Sequence, residues 1–344
     1  MNIKTEITKI HYNKDANGII FNVLRFASLF YALGSEIKNF LYDKNILKTQ
    51  KADACVISVG NLTTGGVGKT PVVAEISKYL ISQGEKVAII SRGYGGRLSN
   101  KNINLISDGN KIYYNAQFAG DEPYWLAQET KAIVVTSKNR YKAAEFAIKE
   151  FGVTKIILDD GFQHRKLHRD IDLVLMDSEK QFGNECLLPA GPLRESTKSL
   201  KRASNLVIVS KNTEHEDAER LSRIMENKYE LPATVCKTEP DFIYNIKTNF
   251  HLQKGTSVIA LSAIGQPEQF FKFLNGYTIE KKVIFDDHHK YNKDDIPQTD
   301  LPVITTEKDA VKLKEFNFDN IFALKLKTEI DTENILKSEF FGEK

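Results

Sequence analysis

An α/β architecture, with a three-layer α/β/α core around a mainly parallel sheet, is what this sequence predicts. Short apolar runs alternate with helical stretches along most of the chain. Alternation of this kind implies parallel βαβ units joined by right-handed crossovers. An amphipathic segment ahead of the first strand adds an N-terminal helix. The chain has 344 residues, and at roughly 100–200 residues per domain a smaller second α/β domain is expected.

The amphipathic segment is Ile19–Leu41. Ile19, Val23, Phe26, Phe30, Leu33, Ile37 and Leu41 recur at intervals of three or four, which places them on one helical stripe. Asn22, Arg25, Ser28, Ser35, Glu36 and Asn39 fall mainly on the other side. At about 1.5 Å per residue the stripe runs on the order of 35 Å. Arg25, Glu36 and Lys38 interrupt it, so a bilayer span is not expected. Periodicity alone favours a helix packed on the domain core. An in-plane membrane helix is the competing reading.

Cys55–Val59 is a β-rich run that ends in Gly60, and a helical stretch Val72–Ser82 follows the intervening loop. Lys86–Ile90, Ala132–Thr136, Lys155–Leu158, Ile171–Met176 and Leu206–Val209 read as further strands. Pro123–Glu129 and Tyr141–Phe151 read as helices between them. The highly charged stretch 213–227 marks a domain boundary or a connecting helix. Beyond it, Ser257–Leu261, Glu280–Phe285 and Pro302–Thr305 read as strands of a second unit. The expected division is an N-terminal helix in 1–45, a nucleotide-binding domain in 46–212, and a smaller domain in 213–344 that closes over the active site.

Composition excludes little. The formal net charge of +3 calls for no nucleic-acid partner but permits contact with an anionic surface. Cys55, Cys186 and Cys236 lack metal-ligand spacing, and so sparse a set suits a reducing compartment. The first residues show no secretory signal pattern.

The loop Thr63-Thr64-Gly65-Gly66-Val67-Gly68-Lys69-Thr70 sits between a strand and a helix. Its glycines let backbone N–H groups turn toward a polyphosphate, and the following helix adds its positive end. Lys69 can reach β- and γ-phosphate oxygens, and Thr70 can place its hydroxyl on Mg²⁺. The core is therefore read as P-loop NTPase-like, binding a nucleoside triphosphate with Mg²⁺. Thr63 stands where the usual pattern has glycine. Partition-type ATPases carry Lys where this chain has Thr64, which weakens a reading in which two subunits exchange that lysine; a monomer is the expectation.

The run Lys155–Gly161 is a strand ending in Asp159 and Asp160. A strand-end carboxylate in such enzymes holds the Mg²⁺ shell, and only one of two neighbours can face the metal. Asp121, in Gly120-Asp-Glu-Pro123, is by type a helix N-cap, or else a base for an attacking hydroxyl. His288 and His289 follow the apolar Val283–Phe285. Arg92 and Tyr94 lie in Ser91-Arg-Gly-Tyr-Gly-Gly96; Gln163 and His164 follow the acidic pair; Arg194 and Glu195 end a later loop. Arginine beside flexible backbone suits a phosphate or sugar-phosphate ligand.

Together these stretches resemble the tetraacyldisaccharide 4′-kinase family of Gram-negative bacteria. Asn39–Asp43, Val59–Pro71, Ser91–Gly96, Gly120–Pro123, Leu158–His164, Leu188–Glu195, Asp287–His289 and Thr305–Ala310 carry the resemblance, in the family's order. It implies transfer of the ATP γ-phosphate to the 4′-hydroxyl of an acylated glucosamine disaccharide 1-phosphate, at the cytoplasmic face of the inner membrane. It makes Ile19–Leu41 an in-plane anchor. It makes Lys69, Asp121 and His288 catalytic, Thr70 with Asp160 or Asp159 the Mg²⁺ ligands, and Arg92, Tyr94, Gln163, His164, Arg194 and Glu195 substrate contacts. A P-loop switch or metallochaperone-type GTPase or ATPase is the alternative.

Overall fold

A computed structural model describes residues 3–340 apart from 100, 212, 266 and 288. In chain order, α1 (Ile3–His11) and α2 (Ile19–Asp43) precede β1 (Cys55–Asn61), α3 (Lys69–Ser82), β2 (Val87–Ser91), β3 (Asn104–Asp108), α4 (Ala116–Ala119) and α5 (Asp121–Glu129). Then come β4 (Ile133–Thr136), α6 (Arg140–Phe151), β5 (Lys155–Asp159), β6 (Ile171–Asp177), β7 (Asn205–Ser210), α7 (His215–Tyr229) and β8 (Ala233–Asn245). The remainder is β9 (Ser257–Ser262), α8 (Pro267–Phe273), β10 (Thr278–Ile284), β11 (Val303–Thr306), α9 (Glu307–Leu313), β12 (Ile321–Ile330) and α10 (Thr332–Phe340).

Two compact units share these elements. One takes the chain up to Ile90, Arg140–Lys237 and the part from Ile330 on; the other takes Ser91–Asn139 and Thr238–Glu329. The expected division at 212/213 differs from this. The charged stretch is α7, whose buried Ala218, Ser222 and Met225 pack it into the first unit. Segment 91–139, placed in the nucleotide-binding domain by linear reading, belongs to the second unit.

In the first unit β8, β7, β6, β1, β5 and β2 lie side by side, all parallel. β6 and β7 are buried along their whole length, as expected of strands covered on both faces. Val59 of β1 pairs with both Asp159, the last residue of β5, and Leu173, within β6. Gly60 is required there: a Cβ on it would lie 2.5 Å from the Phe162 Cβ. α3 buries Val72, Val73, Ile76 and Leu80 on this sheet.

In the second unit β10, β9, β11 and β12 are parallel neighbours. β3 and β4 pair antiparallel, consistent with a sheet expected to be mainly rather than wholly parallel. Strands β3, β8 and β12 are not among the expected elements, although Gly109 and Asn110 close β3 and Asp319 and Asn320 precede β12. β8 has charged Lys237, Glu239 and Asp241 and an internal Pro240, a composition that hides it.

α2 reverses the packing that its pattern first suggests. Ile19, Val23, Phe26, Phe30, Leu33 and Ile37 all point outward, with Phe26 and Phe30 each 65% exposed. Leu41 is only half-buried. The side carrying Phe21 and Ser28, the two buried residues of α2, faces the protein. The buried Ser28 hydroxyl donates to the Leu187 carbonyl at 2.9 Å and accepts from the Ala190 N–H at 3.1 Å. By length and composition α2 could cross a bilayer, but this inward polar face is bound to protein.

Candidate active site

The P-loop starts where β1 ends and closes into α3. Gly68 caps the helix with φ 107°, a left-handed conformation that L side chains rarely adopt. Thr63 is buried, and its carbonyl accepts from the Asn61 side-chain amide at 2.7 Å. The Thr64 N–H bonds the Pro192 carbonyl at 2.8 Å. Those two threonines therefore frame the loop, and the run of N–H groups available to a phosphate starts at Gly65. Val67 is buried, Gly65 and Gly66 are exposed, and Gly68, Lys69 and Thr70 are half-buried.

Lys69 reaches across to the end of β5. Its ammonium donates to Asn61 Oδ1 at 3.1 Å and lies 3.4 Å from Asp160 Oδ1. Arg194 grips the same carboxylate at 3.0 and 2.9 Å, and also meets Gln163 Oε1 at 3.4 Å. Gln163 in turn donates to the Asn61 carbonyl at 3.0 Å. Burial works against the charge on Asp160, but Lys69 and Arg194 outweigh it and hold its pKa at about 2. Asp160 takes φ 55°, a bend that turns it away from the strand direction. Asp159, still in β5, is 2% exposed. The choice the sequence leaves open is thus resolved geometrically: Asp160 faces the P-loop lysine.

Thr70 and Asp160 suit a hard cation. A hydroxyl on the first turn of α3 and an ionised carboxylate offer oxygens of the kind Mg²⁺ takes, with phosphate oxygens and water completing the shell.

His164 is pushed down to a pKa of about 4, chiefly by burial and then by Arg140 and Arg169. It is neutral at ordinary pH. Glu195 is 4% exposed, and its Oε2 accepts from Asn39, Ser199 and Arg202 at 2.8–2.9 Å. Burial opposes its charge, while Arg202 and these donors outweigh it and hold its pKa below the usual range. A carboxylate so committed braces α2 against the Arg194 loop rather than presenting itself to a ligand. The inward side of α2 continues this bracing: Tyr31 donates to the Arg194 carbonyl at 3.0 Å and Lys38 to the Gln163 carbonyl at 3.0 Å.

In the second unit, Gly120 caps α5 and Asp121 is the first helical residue, not the N-cap. Its carboxylate therefore leaves the helix end and meets the Lys312 ammonium at 2.9 Å. Lys312 and Lys308 project from α9, one turn apart. Lys308 lies 3.8 Å from Glu122 and 3.5 Å from Asp287. Helix α9 thus presents two lysines, Lys308 within the Thr305–Ala310 motif and Lys312 just beyond it. Thr306 caps α9, and the buried Asp309 accepts from the Ala263 N–H at 2.9 Å. Segment 91–98 runs beside Asp121: Arg97 and Leu98 donate to the Gln117 and Phe118 carbonyls at 3.0 and 3.1 Å. Arg92 and Tyr94 are exposed. His288 lies outside the described residues. His289 stacks on Phe285 at 4.3 Å and bonds Asp295 at 3.0 Å, a structural role.

Asn61 and Lys312 were not among the expected site residues. Asn61 ends a strand as any polar residue might, and Lys312 lies beyond the motif that positions it.

The chain matches the family model described as tetraacyldisaccharide-1-P 4′-kinase over residues 20–340. It is 37% identical to the tetraacyldisaccharide 4′-kinase of Desulfotalea psychrophila, covering 94% of this chain and 99% of that one. It is 36% identical to the Halothermothrix orenii protein of the same name, covering 88% and 85%. Among solved structures, LpxK from Aquifex aeolicus in complex with ATP superposes with a TM-score of 0.76, at 32% identity, over 94% of this chain and 99% of that one. On sequence, fold and site together, this chain belongs to the tetraacyldisaccharide 4′-kinase family.

Proposed function

We propose that the chain binds ATP at Gly65–Thr70 and transfers its γ-phosphate to the 4′-hydroxyl of a tetraacylated glucosamine disaccharide 1-phosphate, forming lipid IV-A. The observation that carries this reading is Lys69 meeting Asp160 at 3.4 Å, level with a phosphate-binding loop. Lys69 neutralises charge on the transferring phosphoryl group, which is most of what such a reaction needs. Thr70 and Asp160 would hold Mg²⁺, which when bound neutralises charge on β- and γ-phosphate oxygens. Arg194 orients the Asp160 carboxylate. Asp121 is the proposed base that accepts the acceptor's hydroxyl proton, oriented by Lys312, with His288 as its proposed partner. Arg92, Tyr94, Gln163 and His164 are proposed around the acceptor; Glu195 is proposed only as a brace.

The exposed stripe of α2 supports an in-plane seat on the cytoplasmic face of the bacterial inner membrane. A helix with apolar residues outward and its polar side bound to protein gains by burying that stripe among acyl chains. The acceptor's own acyl chains lie in that same layer. The enzyme is proposed to work there as a monomer.

Transfer of label from γ-labelled ATP to the acyl disaccharide tests the reaction. Labelled lipid is expected from the parent and is lost in Lys69→Ala and Asp160→Asn. Steady hydrolysis without labelled lipid would favour a nucleotide switch instead. Asp121→Asn is expected to lower kcat by about 10²-fold or more, the scale of general-base help; unchanged kinetics would remove Asp121 from the mechanism.

A further inference from the structure

A phosphate-binding loop works only when its peptide planes turn their N–H groups to the ligand and their carbonyls away. The peptide unit is planar and trans, so the carbonyl of one residue and the N–H of the next point in opposite directions. Holding a carbonyl outward therefore holds the following N–H inward.

Two side chains from outside the loop do this here. The Tyr12 hydroxyl, just past α1, donates to the Thr64 carbonyl at 3.3 Å. That bond turns the Gly65 N–H the other way. The Lys211 ammonium, just past β7, donates to the Gly66 carbonyl at 3.2 Å. That bond does the same for the Val67 N–H.

The lysine is itself stationed. Its ammonium lies 3.5 Å from Asp177 Oδ2, and the two side chains are only 9% and 8% exposed. Asp177 Oδ1 accepts from the backbone N–H groups of Glu179 and Lys180 at 3.1 and 3.0 Å, so the carboxylate is fixed by its own turn. Burial pulls the Lys211 pKa below its usual value, and Asp177 opposes that pull. The Lys180 ammonium lies 5.1 Å from the centre of the Tyr12 ring.

We propose that Tyr12 and Lys211, with Asp177 stationing the lysine, are positioning residues that preset the phosphate nest by anchoring the outward carbonyls of Thr64 and Gly66. The proposal rests on the nucleotide-binding reading above and adds to it. Neither residue is assigned contact with the reacting atoms; each acts through a peptide plane. An unanchored loop would have to turn those planes when the triphosphate arrives, and the turning is taken from ATP affinity.

The test uses full-length Lys211→Met, Lys211→Arg and Tyr12→Phe. It measures KM for ATP, KM for the acyl disaccharide, equilibrium binding of a fluorescent ATP analogue, and thermal melting without nucleotide. Lys211→Met is expected to raise KM and Kd for nucleotide about tenfold, and Tyr12→Phe about threefold, as for the loss of a charged and a neutral hydrogen bond. Acceptor KM should stay unchanged, and Lys211→Arg should recover most of the loss. Nucleotide Kd at the parent value in folded Lys211→Met, or equal losses for ATP and acceptor, would overturn the proposal. If Lys211→Met does not fold because Asp177 is left buried and unpaired, the Lys211→Met/Asp177→Asn double variant is judged by the same two readouts. Tyr12→Phe strands no charge, and an unchanged nucleotide Kd there overturns the anchoring of Thr64. A parent protein that does not bind Mg·ATP at all would defeat the underlying reading instead, so the two failures are distinct.

Discussion

Helices α2 and α3 follow one another in the chain, both carry apolar side chains at helical spacing, and they use them in opposite ways. α3 turns Val72, Val73, Ile76 and Leu80 into the core. α2 turns Phe26, Phe30 and Leu33 outward and Ser28 inward. A helix buries whichever side its neighbours can match. The sheet beneath α3 is apolar, while the loops beneath α2 offer carbonyls and a carboxylate: Leu187, Gln163 and Arg194 through their backbones, and Glu195 through its side chain. Those loops need hydrogen-bond donors more than they need methyl groups. A stripe marks a face, whereas the partner decides which side of the helix is inside.

The largest effect should come from charging the buried face of α3. Ile76→Asp places a carboxylate where nothing is exposed, and is expected to cost about 4 kcal/mol or more, read as loss of the folded baseline in urea titration. Retained stability there would erase the contrast between the helices. Ser28→Ala comes next. It leaves the buried Ala190 N–H without the hydroxyl it uses, and a cost of about 1–3 kcal/mol is expected in the same titration. A silent Ser28→Ala would mean that α2 is held by something other than its polar side.

A pH experiment sharpens the comparison at the far end of α2, where Lys38 reaches the Gln163 carbonyl beside His164. The folded-state pKa of His164 is depressed to about 4 from an ordinary 6.5. Above pH 6.5 both states leave it neutral, and stability does not depend on it. Between 6.5 and 4 the unfolded chain takes up a proton that the folded chain refuses, so stability falls as pH falls. His164→Asn should flatten that part of the stability curve; a curve that keeps its slope would show that another group titrates there.

The smallest effect on stability should come from the outer face of α2. Phe26→Glu with Phe30→Glu removes no core contact, and a change within about 1 kcal/mol is expected. Recovery with anionic liposomes in flotation should nevertheless collapse. Unchanged recovery would remove the membrane seat while leaving the folded contrast intact.

Much of the site was legible because its chemistry is local in sequence. Gly65–Thr70 form a loop whose purpose is written in consecutive residues, and Asp160 stands at the end of an apolar run that reads as a strand. Strand–helix alternation likewise exposed most of the first unit. What escaped was whatever depends on residues distant in the chain. Lys312 meets Asp121 across a long separation, and Lys211 meets Gly66 from another strand end. β8 is a strand because neighbouring strands complete its hydrogen bonds, not because its composition demands it. The grouping of 91–139 with 238–329 could not be read along the chain either, since proximity in space is not proximity in sequence.

By itself, then, the sequence determined the phosphate-binding loop, the acidic strand end and the apolar stripe of α2, because each is set by spacing within a few turns or one strand. Tertiary structure alone decided that Asp160 rather than Asp159 faces Lys69, that Glu195 is a brace, and that the stripe of α2 lies outside. Orientation depends on which surface offers a matching partner, and that surface exists only once distant segments have come together.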